Sequence, residues 1–260
     1  QYNYLYMFIN PKKILIISSD YDNFFFKPII FRLKKELTGS SVLMLNKSST
    51  KKYSLLKRNI FLLLMFSIKE ILELIYNIIK FQFTKKNFDY DLTGVNSINT
   101  DKFINFVENN KYDLIVLINC VEIIQSRTLK KINIDVVNFH PGLLPKYRGF
   151  FPNFYSMINQ EKNIGLTFHK VDSKIDQGAI IKKYQVSIDY QKGLLNTYKQ
   201  LYFADDSINF FKKCILEYDN LKDKALIQGD LSSYYRFPKM SELLKFKFKK
   251  IKYSLSKYQR

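Results

Sequence analysis

Short apolar runs alternate with longer segments of helical spacing along the first two-thirds of the chain. Residues 13–18 (KILIIS) form a β-branched run of the length expected for a buried strand. Residues 27–37 then have helical character, and SVLMLN at 41–46 reads as a second strand. The most apolar stretch is NIFLLLMFSIKEILELIYNIIKFQF at 59–83, where Ile71, Leu72, Leu74, Ile75, Ile78 and Ile79 recur at helical spacing. Lys69, Glu70 and Glu73 interrupt it before the ~20 apolar residues needed to span a bilayer. The pattern predicts one long helix packed on a core or a subunit interface, with an interfacial membrane helix as the alternative.

Residues 85–100 are polar and read as loop, and residues 101–109 as a helix with Asp101 at its start, where a carboxylate favours the helix dipole. YDLIVLIN at 112–119 is nearly continuous in apolar character, as in a strand covered on both faces. A short helix at 126–131 and a strand at 134–139 follow. Residues 165–171 and 180–188 read as two more strands, separated by the polar turn DSKIDQG at 172–178. Residues 196–218 are helical, and a basic, aromatic tail includes a basic helix at 245–257. This alternation predicts an α/β fold with a Rossmann-like, mostly parallel sheet, and ligands beyond the carboxyl ends of the strands. Residues 1–188 form the main domain in this reading, and 189–260 a helical and basic extension packed on the same core. Neither G-x-G-x-x-G nor G-x-x-x-x-G-K occurs, which argues against dinucleotide and ATP chemistry.

Hydrophobic residues make up 47% of the chain, enough for a full core, and the 16% aromatic content separates it from disordered chains. The abundance of Lys, Asn, Ile, Phe and Tyr matches the codon bias of an AT-rich genome. The net charge of +19 still attracts anionic partners, including nucleic acid, acidic lipid and phosphorylated small molecules. Cys120 and Cys214 lie in apolar settings without a C-x-x-C pair or a His cluster, so no metal site or disulfide framework is indicated and a reducing cytoplasmic compartment is expected. No secretory signal opens the chain, which begins at Gln1 rather than Met.

The chain holds two histidines, and His140 directly follows the strand ending VVNF. Asn138 and His140, two apart, point to one side of an extended strand. An amide donor beside an imidazole suits an oxygen that becomes negative in a transition state. A carboxylate from a nearby loop, such as Asp176, can orient the ring or take a proton. There is no G-x-S-x-G elbow for a covalent acyl-enzyme, so direct acyl-type transfer is the reaction these residues point to.

NFHPGLLPKYRGFFP, followed by GLTFHKVDSKIDQGAII, closely resembles the folate-dependent formyltransferase family over about residues 96–188. The pattern N-x-H-x-x-L-L-P-x-Y-R-G, with D-x-G placed 36 residues after the histidine, carries the resemblance. It implies Asn138, His140 and Asp176 as catalytic residues and N10-formyltetrahydrofolate as cosubstrate. It also implies that folate lies against Val121, Glu122, Ile123 and Ile124 and against Asp172, Ser173, Lys174 and Ile175, mostly through backbone groups. Where the family often has glycines, this chain has Asn119 and Val121. His169 falls on a position that is often histidine in the family, where the resemblance implies a supporting role, with simple strand packing as the alternative; Arg148 either braces the loop, as its recurrence in YRG implies, or holds a phosphate.

For the acceptor, the resemblance leads toward the sugar N-formyltransferases of O-antigen and lipopolysaccharide biosynthesis. About 70 residues follow residue 188 and much of that stretch looks helical, which counts against the further barrel domain usual in the methionyl-tRNA enzymes, although the basic charge fits tRNA. The glycine-bearing phosphate loop of the glycinamide ribonucleotide enzymes is replaced by SSDYDNFFF. SSYYRFPKM at 232–240 resembles a tail of the sugar branch, giving Tyr234, Tyr235 and Arg236, with Phe150 and Phe151, as the sugar-nucleotide side. Phe154 and Tyr155 read equally well as acceptor lining or helix packing. The acceptor expected is a dTDP-linked 4-amino-4,6-dideoxyhexose, with a 3-amino sugar close behind. The alternatives are methionyl-tRNA or another amine, and an inactive basic binding module. The partners expected are this sugar nucleotide, folate and a second copy in a cytoplasmic homodimer, without nucleic acid and without a transmembrane segment.

Overall fold

All six residues of the first strand, β1 (Ile14–Ser19), are buried, because in the computed structural model both faces of the strand are covered. The structure describes residues 12–19, 26–45, 55–84, 94–229 and 232–256. The glycine-free segment after the first strand lies largely outside them, as do residues 85–93 of the polar loop and residue 257 of the basic helix. After β1 come α1 (Phe26–Glu36), β2 (Ser40–Leu45), α2 (Leu55–Met65), α3 (Ile68–Thr84), α4 (Asp101–Asn110), β3 (Leu114–Ile118), α5 (Ser126–Ile132) and β4 (Val136–His140). The chain continues through β5 (Arg148–Gly149), α6 (Pro152–Ile158), β6 (Asn163–Lys170) and β7 (Ile180–Ser187). It ends in α7 (Gly193–Tyr202), α8 (Asp205–Leu216), α9 (Tyr218–Leu221), β8 (Tyr234–Tyr235) and α10 (Met240–Ser256).

The main sheet has the order β2-β1-β3-β4-β6-β7. Its first four strands are parallel, and β6 and β7 run antiparallel, so the sheet is α/β and mostly parallel as the sequence pattern predicts. Alternation along the strands divides the core in two. Ile14, Ile16, Val42, Leu114, Val116, Val137 and Phe139 face one buried cluster. Leu15, Ile17, Leu43, Ile115, Leu117 and Val136 face the other. Leu194, Leu201, Phe211, Leu243 and Phe246, from the helices beyond residue 188, belong to the first of these clusters together with strand residues.

The apolar segment at 59–83 is two helices rather than one, broken at Phe66 and Ser67. The break is a capping box, an S-x-x-E signal hidden inside the apolar run. The Glu70 carboxylate accepts from the Ser67 N–H and hydroxyl at 2.7 Å each, and Ser67 Oγ accepts from Glu70 N–H at 3.3 Å. The other carboxylate oxygen, Oε1, accepts from the Leu195 N–H at 3.2 Å, so one buried side chain caps α3 and α7 together. Glu73 pairs with Lys199 one turn further on. Leu74 is buried, whereas Ile68, Leu72, Ile75, Tyr76 and Ile79 are exposed.

The helical segment at 196–218 likewise divides at Phe203 and Ala204, where α7 ends and the acidic first turn of α8 begins. The sequence pattern did not predict α6, although Pro152 stands at its first turn, where a missing N–H costs nothing. Asp101 stands in the first turn of α4 as expected, and Thr100 caps the helix, accepting from Phe103 N–H. No helix among the described residues is long and apolar enough to cross a membrane.

Replacing Glu70 with Ala removes the acceptor of three hydrogen bonds at a buried helix junction and is expected to lower stability by about 2 kcal/mol. Equilibrium urea unfolding measures this. A change below about 0.5 kcal/mol would mean that water replaces the carboxylate.

Candidate active site

Parity along β4 places Asn138 and His140 on the face of Val136, and the antiparallel pairing with β6 sets Asn138 opposite His169 and His140 opposite Thr167. Directly opposed residues share a face of the sheet, so four polar side chains meet at one spot. Thr167, which the sequence reading missed, is fully buried and anchors the loop after β4. Its hydroxyl donates to the Gly142 carbonyl at 2.6 Å and accepts from the Leu144 N–H at 3.1 Å. Its spacing of two from His169 was the available signal.

The two histidines are 3% and 2% exposed and differ in what holds them. Burial pushes the His169 imidazole down to about 4; Asp176 opposes that shift and His140 adds to it. The ring is therefore neutral near pH 7 and carries one N–H. Its Nδ1 lies 2.8 Å from the Lys170 carbonyl, which can only accept, so the proton sits on Nδ1. Nε2 is then an acceptor and takes an N–H from Asn138 Nδ2 at 3.0 Å. This fixes which way the Asn138 amide points. His140 Nε2 donates to the Tyr147 carbonyl at 2.7 Å, which leaves Nδ1 as the ring atom facing the carboxylate of Asp176, at 3.5 Å.

Asp176 comes from the loop between β6 and β7 and has a left-handed backbone, φ 52°. Its Oδ2 also accepts from Gly149 N–H at 2.9 Å, and its Oδ1 lies 3.9 Å from His169 Nε2. Gly149, with φ 90°, takes a side chain only with strain and a shift of its surroundings: a Cβ there would lie 2.2 Å from the Tyr235 carbonyl oxygen. That approach exists because β5 pairs with β8, with Arg148 N–H donating to the Ser233 carbonyl and Phe150 N–H to the Tyr235 carbonyl.

Asn138, His140 and Asp176 are thus brought together with His169. Of the segments expected to hold folate, Val121 N–H donates to Ser19 Oγ at 3.0 Å, and Ile123 is exposed while Ile124 is buried. The Glu122 side chain turns inward, accepting from Ile98 N–H, Ser97 Oγ and Asn99 Nδ2. Asn99, absent from the sequence reading, ties this loop together by donating to the Ile123 carbonyl and accepting from Gln125 N–H. Asp172 Oδ1 accepts from Lys174 N–H at 2.6 Å in a tight turn through Ser173, and Ile175 is exposed on the same loop as Asp176.

On the expected sugar-nucleotide side, Phe150 and Tyr234 are exposed. Phe151 packs against Phe61 and Phe237, and Tyr235 lies nearly parallel to both Tyr147 and Tyr155, at 5.4 and 4.1 Å between centroids. These two rings serve the chain's own packing. Phe154 and Tyr155 are buried in the core. The Arg236 carbonyl accepts from the Tyr155 hydroxyl.

Residues 12–208 match the family model described as formyl transferase. Over 91 residues the chain is 34% identical to the GDP-perosamine N-formyltransferase of Brucella melitensis biotype 1, covering 35% of each protein. Alignments span 22% and 35% of the length of the curated relatives matched first. The fold is that of a sugar N-formyltransferase from Shewanella sp FDAARGOS_354, with a TM-score of 0.54, 17% identity, and coverage of 90% of this chain and 86% of that one. It is shared also with HypX from Aquifex aeolicus in complex with tetrahydrofolic acid: TM-score 0.53, 16% identity, 92% of this chain and 34% of that one.

Two expectations follow from this geometry. His169 is held below its unfolded value of 6.5, so the folded state binds fewer protons. Its contribution to stability is complete above pH ~6.5 and is lost as pH falls from there toward ~4. Urea unfolding across that window should show the slope of about one proton, and His169→Gln should flatten it. Gly149→Ala should cost about 2 kcal/mol or more by strain and clash, read as a lowered Tm, because the Tyr235 carbonyl is backbone and cannot swing away.

Proposed function

Because the chain belongs to the formyl transferase family, we propose that it moves a formyl group from N10-formyltetrahydrofolate to the amine of a nucleotide-linked amino sugar. The observation that carries this reading is the convergence of two buried histidines, His140 and His169, with the partly buried Asn138 and Asp176. In the reaction the amine nitrogen bonds to the formyl carbon, whose oxygen takes up negative charge. Collapse breaks the bond to N10 of the folate, which leaves with a proton as the amine loses one. An amide has two N–H donors, and with one committed to His169, the other Nδ2–H of Asn138 is assigned to the formyl oxygen.

His140, protonated on Nδ1, supplies positive charge beside that oxygen, with Nε2–H anchored on the Tyr147 carbonyl. Asp176 faces the charged ring and takes the amine proton, directly or through water. Fixed donors in a buried site need no reorganisation when charge develops, which makes positioning and electrostatics the main source of rate. Folate binds between the loops that carry Val121–Ile124 and Asp172–Ile175, through their backbone groups, and the tetrahydrofolate complex of a protein with the same fold supports that cosubstrate.

The acceptor assigned is a dTDP-linked 4-amino-4,6-dideoxyhexose, with exposed Phe150 and Tyr234, together with Arg236, offering rings and charge to its nucleotide. The GDP-perosamine relative makes a GDP-linked amino sugar the second candidate. Residues 1–188 carry the chemistry in this reading, and 189–260 complete its walls in a homodimer in the cytoplasm.

The test mixes the protein and N10-formyltetrahydrofolate with dTDP-, UDP- and GDP-linked amino sugars and with charged initiator tRNA, following product mass and tetrahydrofolate release. Formylation of a sugar nucleotide is the expected result, and turnover with tRNA alone would overturn the acceptor. Asn138→Ala and His140→Asn should each lower kcat by about 10²–10³ while the protein stays folded at the assay temperature. Unchanged turnover in either variant would remove that residue from the mechanism.

A further inference from the structure

Gln228 stands outside every motif of the sequence, yet its amide touches both loops of the candidate site. Leu226 pairs with Ile180 at the start of β7, each N–H donating to the other's carbonyl at 2.8 Å, and this brings the chain alongside the Asp176 loop. Gln228 Nε2 then donates to the carbonyls of Asp176 and Gly178 at 2.9 and 2.8 Å. Its Oε1 accepts from Arg148 Nε and NH2 at 3.2 and 2.7 Å. Both N–H donors and both lone pairs of the amide are used.

The partners are the parts of the site least able to hold themselves. Asp176 sits in the left-handed region, which a non-glycine residue keeps only where its surroundings over-determine it. Gly178 lies so close to strand β6 that a Cβ would be 1.8 Å from the Lys170 carbonyl oxygen. Arg148 is a buried guanidinium at the other catalytic loop, next to Gly149, whose N–H meets Asp176 Oδ2. Five residues beyond Gln228, Ser233 fixes that second loop: its hydroxyl accepts from Tyr147 N–H and its carbonyl from Arg148 N–H. Tyr147 is the residue whose carbonyl holds His140.

We propose that Gln228 is a positioning residue for the formyl transfer, locking the Asp176 loop to the Arg148 loop so that Asp176 stays against His140. The inference rests on Asp176 being the carboxylate of the proposed reaction. Gln228 touches no reacting atom. It acts through the backbone of Asp176, and a displacement of about 1 Å there is worth on the order of a hundredfold in rate.

The test uses the full chain with Gln228→Glu and Gln228→Ala. Gln228→Glu keeps size and the acceptor for Arg148 but replaces both N–H donors with an oxygen that repels the two carbonyls. Three quantities are read: kcat against KM for the sugar-nucleotide acceptor, Tm, and hydrogen exchange of the Gly149 amide, which reports its bond to Asp176 without any substrate. In both variants kcat should fall about tenfold or more, with KM within about twofold and Tm within a few degrees, and Gly149 exchange should speed up about tenfold or more.

Wild-type kcat or wild-type Gly149 exchange in Gln228→Glu overturns the inference. So does a loss of activity matched by a fall in Tm large enough to unfold the protein at the assay temperature. If the wild-type chain formylates no acceptor, the functional reading fails instead. Gly149 exchange then still decides whether Gln228 sets the place of Asp176, and unchanged exchange overturns that as well.

Discussion

The register of β4 against β6 is the constraint on which the rest of the site depends. Because the two strands run antiparallel with Asn138 facing His169, an amide and an imidazole meet at hydrogen-bond distance. A slip of one residue would send Asn138 and His140 to the face of Val137 and Phe139 and put apolar side chains where the polar ones stand. Two buried clusters resist that slip, one on each face of the sheet, since the buried apolar residues of β1 to β4 divide between them by parity. Core packing and site geometry are therefore the same constraint seen from two sides.

Their hydrogen-bond partners divide the labour between the two histidines. His169 is held neutral by its removal from water, and a neutral ring has one donor and one acceptor, both used: one on the Lys170 carbonyl, one on Asn138. It acts as a fixed spacer that orients an amide. His140 is anchored by only one nitrogen and turns the other toward a carboxylate. Two chemically identical side chains on neighbouring strands thus have different jobs because their neighbours differ.

The site was legible in sequence where it is local. N-x-H at a strand end and D-x-G after the next strand announce Asn138, His140 and Asp176, and the α/β alternation gives the mostly parallel sheet. What was missed acts at long range or through backbone. Glu70 serves Leu195, more than a hundred residues away, and the capping box that breaks the apolar helix was masked by the greasy residues around it. Gln228 reads as an ordinary polar residue, since nothing near it in sequence tells which carbonyls it will meet. Tyr234 and Tyr235 look equivalent in a row, but pairing with β5 sends one ring into a stack with Tyr147 and Tyr155 and leaves the other exposed.

The β5–β8 pairing joins residues 148 and 149 to 234 and 235, so the loop after β4 is clasped by a segment made long after it. On a ribosome Asn138, His140 and Asp176 emerge before the residues of the clasp. A nascent chain that already holds Asn138, His140 and Asp176 has not yet formed the contacts from Gln228 and Ser233 that fix them. The clasp makes the geometry of this cluster conditional on a segment that is synthesised 52 residues after Asp176.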